Sequence, residues 1–251
     1  MINNKGKLKA WAFISLYLSI LFFFPLASAQ DTEEAFPEPM LITPGKKGGP
    51  PSDAIILFDK DVLDNFVSVE TGGAPEWLVS GNKFTVKPGT KNIRTLQKFG
   101  DCQLHIEWKI PRKDVREGKT GQQCGNSGIY FMSKYEIQVL NSYENETDPD
   151  GQAAAFYGNF APLVNASMKA GKWQVYDIVF MAPKFSDKEE LIEPGYFTVF
   201  HNGVLVQNHI EVTAPTASHL EEYSLSEHEL PLMLQDHNNE VSYRNIWIRE
   251  L

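Results

Sequence analysis

Gln103-Leu104-His105-Ile106-Glu107-Trp108-Lys109-Ile110 decides the fold. Leu104, Ile106, Trp108 and Ile110 alternate with Gln103, His105, Glu107 and Lys109. That strict period of two is a strand with one face in a core and the other free for water or a ligand. From Ile55 onward the chain repeats the theme as short apolar stretches divided by turn residues, with little helical periodicity. Strands are expected at Asn126–Met132, Tyr135–Leu140, Val175–Met181, Tyr196–His201, Val204–Asn208, Leu230–His237 and Val241–Leu251. Asn202-Gly203 is the strongest two-residue hairpin signal, and Asn238-Asn239 can take the same geometry because Asn tolerates positive φ. The expectation is an all-β, two-sheet antiparallel β-sandwich of the jelly-roll kind, with Gln103–Ile110 and Tyr135–Leu140 as inner strands. The long stretches 111–125, 141–172, 183–195 and 211–229 become rim loops, where length usually signals function.

The ends of the 251-residue chain carry other information. Lys5, Lys7 and Lys9 precede an apolar run from Trp11 to Leu26, then Ala27-Ser28-Ala29. This is the layout of a cleaved signal peptide over 1–29, so a secreted or periplasmic protein starting at Gln30 is expected. The run is shorter than the ~20 residues a membrane span needs, so no membrane partner is expected after cleavage. Residues 30–52 read as a flexible leader, and 53–251 as one domain without internal repeat. Cleavage removes three lysines and no acid, taking the net charge from −9 to −12. Such a chain suits neither nucleic acid nor an anionic membrane surface.

Two polar clusters stand out. If Asn238-Asn239 closes a hairpin, His237 faces Glu240, Gln235 faces Ser242 and Met233 faces Arg244 across it. Gln235, His237, Ser242 and Arg244 then share one side. In Tyr135-Glu136-Ile137-Gln138-Val139, Glu136 and Gln138 point away from Tyr135, Ile137 and Val139. For any single residue a solvated outer face is the plainer explanation. Together the groups suit a sugar, whose hydroxyls need paired donors and acceptors. Gly128, in Asn126-Ser127-Gly128-Ile129-Tyr130-Phe131, permits close approach, and Tyr130, Tyr143, Tyr157 and Trp173 can stack on a sugar face. No phosphate loop, Cys-x-x-Cys pair or Gly-x-Ser-x-Gly elbow is present. No metal site or cofactor is expected. The acidic loop Glu144–Gly151 offers oxygens of the kind calcium takes but lacks the EF-hand spacing, and reads as solvated. Cys102 and Cys124 begin successive strand candidates, an arrangement that disfavours a disulfide if the strands pair as a hairpin.

These residues resemble the 3-keto-disaccharide hydrolase domain family. The resemblance runs in order over 53–251. It includes Ile56-Leu57-Phe58, Gly100 to Trp108, Asn126 to Phe131, Tyr135 to Leu140 and Gly151-Gln152-Ala153-Ala154-Ala155. It continues through Pro162 to Ser167, Gly171-Lys172-Trp173, His201-Asn202-Gly203, Asn208-His209 and Pro215-Thr216, to Leu234-Gln235-Asp236-His237 and Tyr243-Arg244-Asn245-Ile246. Relatives often have Phe-Asn-Gly-Lys where this chain has Phe58-Asp59-Lys60, and His-Gly where it has His237-Asn238. The resemblance implies a concanavalin-like lectin/glucanase sandwich, exported by bacteria that degrade glycans.

It also implies a reaction. A ketone at C3 acidifies the C2 proton of a 3-keto-glycoside; a base removes that proton, and the C1 leaving group departs by elimination, with water able to add afterwards. Glu136 is the expected base, Arg244 with Asn126 or Gln138 the enolate's support, and His237 the acid, or Glu136 and His237 with these roles exchanged; Glu136, Gln138, His237 and Arg244 are expected to share one concave pocket. Gln235, Tyr130, Trp173, Glu107 and His105 complete the expected substrate-binding set. A retaining glycosidase would instead want two carboxylates ~5–5.5 Å apart, and the next same-face position after Glu136 is an amide. The alternative is a lectin-like module that binds carbohydrate without cleaving it; it would have less use for converging His, Arg and Glu.

Overall fold

The computed structural model describes residues 38–46, 48–212, 215–216 and 225–251. The expected signal peptide, most of the leader and part of the 211–229 loop lie outside the described residues. The chain divides after Met40, and all strands among the described residues lie in Leu41–Leu251. They are β1 Ile55–Phe58, β2 Phe66–Ser68, β3 Leu78–Ser80, β4 Lys83–Thr85, β5 Ile93–Phe99, β6 Cys102–Lys109, β7 Ser127–Phe131 and β8 Tyr135–Val139. Then follow β9 Gln174–Met181, β10 Lys184–Phe185, β11 Leu191–Glu193, β12 Gly195–His201, β13 Val204–Val212, β14 Leu230–Leu234 and β15 Ser242–Glu250. One short α-helix, α1 Arg112–Arg116, interrupts the 111–125 stretch.

Two antiparallel sheets form the expected sandwich. One runs β13-β12-β9-β6-β15-β4-β3 with β1 on β15; the other runs β2-β5-β14-β7-β8. Leu104, Ile106 and Trp108 of β6 enter the shared core, as do Ile129 and Phe131 of β7, Ile137 and Val139 of β8, and Leu232 and Leu234 of β14. Hydrogen bonds also cross that core, from Tyr176 Oη to the Gln138 carbonyl at 2.8 Å and from Tyr243 Oη to Ser127 Oγ at 2.7 Å. Buried polar groups of this kind keep the two sheets in one relative register.

Three expectations change. β6 is an inner strand, but β8 is the last strand of its sheet, where the segment around Ala155–Tyr157 covers its edge through bonds such as Gln138 N–H to the Ala155 carbonyl. The stretch 183–195 carries its own two-stranded ladder, β10-β11. β14 and β15 are not a hairpin: β14 pairs β5 and β7, whereas β15 pairs β1, β4 and β6. The connection through Asn238 (φ 60°) is a corner between sheets, tied down by the Asn126 N–H bonding Asn239 Oδ1 at 2.7 Å. Cys102 and Cys124 are buried free thiols, and β6 and β7 lie in different sheets.

Asn202-Gly203 closes β12-β13 with φ of 53° and 80°, as a type I′ turn requires. Gly203→Ala must hold a methyl-bearing residue in the left-handed region, at a cost of ~1–2 kcal/mol. Thermal melting should detect it; an unchanged transition would contradict the turn assignment.

Candidate functional site

Both outer faces of the sandwich carry polar clusters, and the sequence-predicted residues are divided between them. On the β14-β7-β8 face, alternation turns Gly128, Tyr130, Glu136 and Gln138 away from the core, with Gln235 following on from β14. Tyr130 donates its hydroxyl to Glu136 Oε2 at 2.7 Å, and Gln235 Nε2 donates to Tyr130 Oη at 3.0 Å. The Glu136 backbone N–H reaches Thr216 Oγ1 at 3.0 Å. A Cβ on residue 128 would lie 2.3 Å from Glu136 Oε1, so the missing side chain of Gly128 is the seat of that carboxylate.

Burial dominates the electrostatics here. Glu136 is 4 % exposed. Desolvation raises its carboxyl to about 7, against the opposing pull of the Tyr130 hydroxyl. Burial, and then the Glu136 charge, push the Tyr130 phenol far above its ordinary value, so it serves as a donor and not as a base. Gln235 Oε1 is buried without a hydrogen-bond partner. Asn126 and Gln138 sit on the same face, but both donate their amides to Gln122 Oε1, at 2.8 and 3.0 Å. Gln122, from the loop before β7, was not legible as a site residue. Periodicity has no hold on a loop.

On the β9-β6-β15 face the centre is His105. Its Nδ1 lies 2.6 Å from Asp177 Oδ1, and Asn245 Nδ2 lies 3.1 Å from its Nε2. Trp247 stacks on the ring at 5.1 Å. Glu107 takes Arg244 Nε at 2.5 Å and Asn245 Nδ2 at 2.9 Å. Arg244 lies over Trp173, 4.1 Å from the ring centre. A β-bulge at Asn245, where φ is 47°, keeps Arg244, Asn245 and Trp247 on this face while Ile246 enters the core. Part of the stretch read as leader forms one wall of an adjoining cleft of about 600 Å³, with Gly48 carbonyl accepting from Asn245 Nδ2 and Trp247 Nε1. Asp177 and Trp247 were missed. Asp177 was readable, since Tyr176, Ile178 and Phe180 of its own strand take the core.

The expected single pocket of Glu136, Gln138, His237 and Arg244 is therefore not assembled. Glu136 and Gln138 are on one outer face, Arg244 is held by Glu107 on the other, and His237 is exposed at the corner between sheets. The geometric reason is that β14 and β15 do not pair. Trp173, Glu107 and His105 fall on the Arg244 side; Tyr130, Asn126 and Gln235 fall on the Glu136 side. Among the described residues, no group of three His, Cys, Asp or Glu side chains is arranged to hold a metal ion.

The two faces titrate oppositely. Burial alone would lower His105, but Asp177 and Glu107 outweigh it and raise it to about 9. Burial would raise Glu107, but bonds from His105, Asn245 and Arg244 bring it to about 2. A raised histidine stabilises the fold fully below its unfolded pKa near 6.5, and that contribution is lost as pH rises through about 9. The depressed Glu107 contributes above about 4.5 and loses that contribution as pH falls toward 2. His105→Gln should therefore shrink the stability loss between pH 6.5 and 9 by on the order of 1–3 kcal/mol, discounted for the half-exposed Asp177. Denaturant midpoints at the two pH values test this; equal losses in both proteins would remove His105 from the network's charge balance.

Residues 53–249 match the model of the 3-keto-alpha-glucoside-1,2-lyase-like domain. A provisionally named glycosyl hydrolase from Parabacteroides distasonis is 41% identical, with a TM-score of 0.79 over 88% of this chain and 95% of that one. Two more structures from the same organism, also provisionally named glycosyl hydrolases, share 16% and 19% identity. Their TM-scores are 0.59 and 0.52; each match covers 79% of this chain, and 94% and 99% of theirs, and supports the fold alone. No curated protein matches the chain.

Proposed function

Since the chain belongs to the 3-keto-alpha-glucoside-1,2-lyase-like domain family, we propose that it cleaves 3-keto-glycosides by removing the C2 proton and eliminating the C1 leaving group. The observation that carries this reading is Glu136, a buried carboxyl raised to about 7 with a tyrosine hydroxyl 2.7 Å away. A base whose pKa lies near the working pH combines a useful ionised fraction with real proton affinity.

Glu136 takes the C2 proton; the C2–H electrons become the enolate, with charge on the C3 oxygen. As the enolate collapses, C3=O re-forms, C1=C2 forms and the C1–O bond breaks, its electrons leaving on the aglycone oxygen, which takes up the proton that Glu136 removed from C2 and returns Glu136 to its ionised form. Neutralising Glu136 frees the Tyr130 hydroxyl to donate to the C3 oxygen, and Gln235 positions that hydroxyl. Water adding across C1=C2 gives net hydrolysis. Arg244 has no part in this scheme, because it is committed to Glu107.

The test is to incubate the protein with a chromogenic glucoside and with its 3-keto form, and to follow aglycone release. Release from the 3-keto form alone is expected. Binding of both without release would favour the lectin-like reading. Release from the unoxidised glucoside would require a different mechanism. We also propose export with cleavage behind Ala29; a mature mass that retained Met1–Ala29 would refute it.

A further inference from the structure

Outside both faces already described, α1 and the segments at 118–120, 141–145 and 169–170 enclose a cavity of about 490 Å³. Arg112, Arg116, Lys119 and Lys169 line it, against a single lining carboxylate, Glu144. Lys119 is bound to the buried Asp114 at 2.8 Å. Among the described residues, no ion pair engages Arg112, Arg116 or Lys169. Unneutralised cations gathered in one hollow repel one another, and they stand out in a chain of net charge −9. A solvated basic surface would have no reason to be concave or to carry the two further groups found here.

The first is Tyr143, also in the lining, with Lys169 Nζ 5.3 Å from its ring centre. The second is Asn141, which lines the cavity and is 4 % exposed. Its Nδ2 is spent on Cys124 Sγ at 3.4 Å, while its Oδ1 is buried with no hydrogen-bond partner. A buried carbonyl oxygen left unpaired is costly, and a ligand hydroxyl would satisfy it. A plain anion would not, because it offers no donor. The requirements add up to a negative group for the cations, a hydroxyl for Asn141 and a ring for Tyr143.

We propose that this cavity binds an acidic saccharide, whose carboxylate or sulfate sits among Arg112, Arg116 and Lys169 while a ring hydroxyl donates to Asn141. Asn141 lies five residues beyond Glu136, ~17 Å along an extended chain at ~3.3 Å per residue. The site is thus separate from the carboxylate assigned to chemistry. The choice of a sugar rests on the family reading of the chain, but the binding test involves neither a 3-keto group nor bond cleavage, so the two can fail independently.

The experiment is calorimetric titration of the full chain with glucuronate, glucose 6-sulfate, glucose and inorganic sulfate. At least one acidic sugar should bind ten-fold or more tightly than both glucose and inorganic sulfate, and the tighter of the two identifies the acid group. That affinity should fall several-fold between 50 and 200 mM salt. It should fall about ten-fold in the double variant Arg116→Gln/Lys169→Gln, whose exposed positions leave folding intact. Glucose binding as tightly as the acidic sugars would overturn the proposal. So would inorganic sulfate matching them, or affinities indifferent to both salt and the double variant.

Discussion

Glu136→Gln is expected to lower turnover of a 3-keto-glucoside by ~10²–10⁴-fold. The amide keeps the shape and can still bond the Tyr130 hydroxyl, so folding and sugar affinity should change far less than the rate. The unaltered protein should gain activity as pH rises through about 7, because a base must be ionised to accept a proton and this one is raised to that value by burial. The residual activity of the variant should lack that inflection. Steady-state aglycone release across pH 5–9, beside calorimetric binding, measures both. Full activity in the variant would end the assignment of Glu136 as base. A variant that lost binding and rate equally would make Glu136 a substrate-holding group.

Gly128→Ala should be nearly as damaging, for a steric reason. The new Cβ would sit 2.3 Å from Glu136 Oε1, 2.9 Å from its Cδ and 2.7 Å from Tyr130 Cε2. Side-chain ends can often swing aside, but Glu136 is 4 % and Tyr130 1 % exposed, so both are hemmed in. Overpacking of this kind costs ~1–3 kcal/mol. A displacement near 1 Å at a reacting group costs ~10²-fold in rate. For a domain of this size each kcal/mol shifts melting by ~2–4 °C. The expected signature is a modest fall in melting temperature with a disproportionate loss of activity. If activity survives, the close approach of residue 128 to the carboxylate has no functional meaning.

The sandwich was legible because its strands obey the period of two, and β6, β7, β8, β9 and β12 lie within a residue or two of where alternation puts them. The Asn202-Gly203 turn was legible because its two residues can hold positive φ. Asn238-Asn239 misled for the same reason: positive φ serves a corner between sheets as well as a hairpin. A further signal was available in the side chains. Hairpin pairing about that turn would set Leu232 opposite Asn245 and Ile246 opposite Pro231, a poor match for a shared apolar face. The bulge at Asn245 hid the phase. Read with unbroken alternation, β15 cannot place both Tyr243 and Ile246 in the core, yet both are there. For the site, Glu136 and Gln138 were readable from their own strand. Which other residues join Glu136 depends on sheet order, and sheet order is a non-local property that strand patterning does not contain.

The core shared by the two sheets has a consequence for how this protein can change. Glu136 and His105 are turned away from each other, with a layer of packed side chains from both sheets between them. Groups without common partners respond to substitution independently, usually to within ~0.3–0.5 kcal/mol. A double-mutant cycle between Gly128 and His105 should therefore close with no interaction energy. One surface can then accumulate substitutions and drift toward new ligands without disturbing the chemistry proposed for the other, as long as the hydrophobic layer between them keeps its volume.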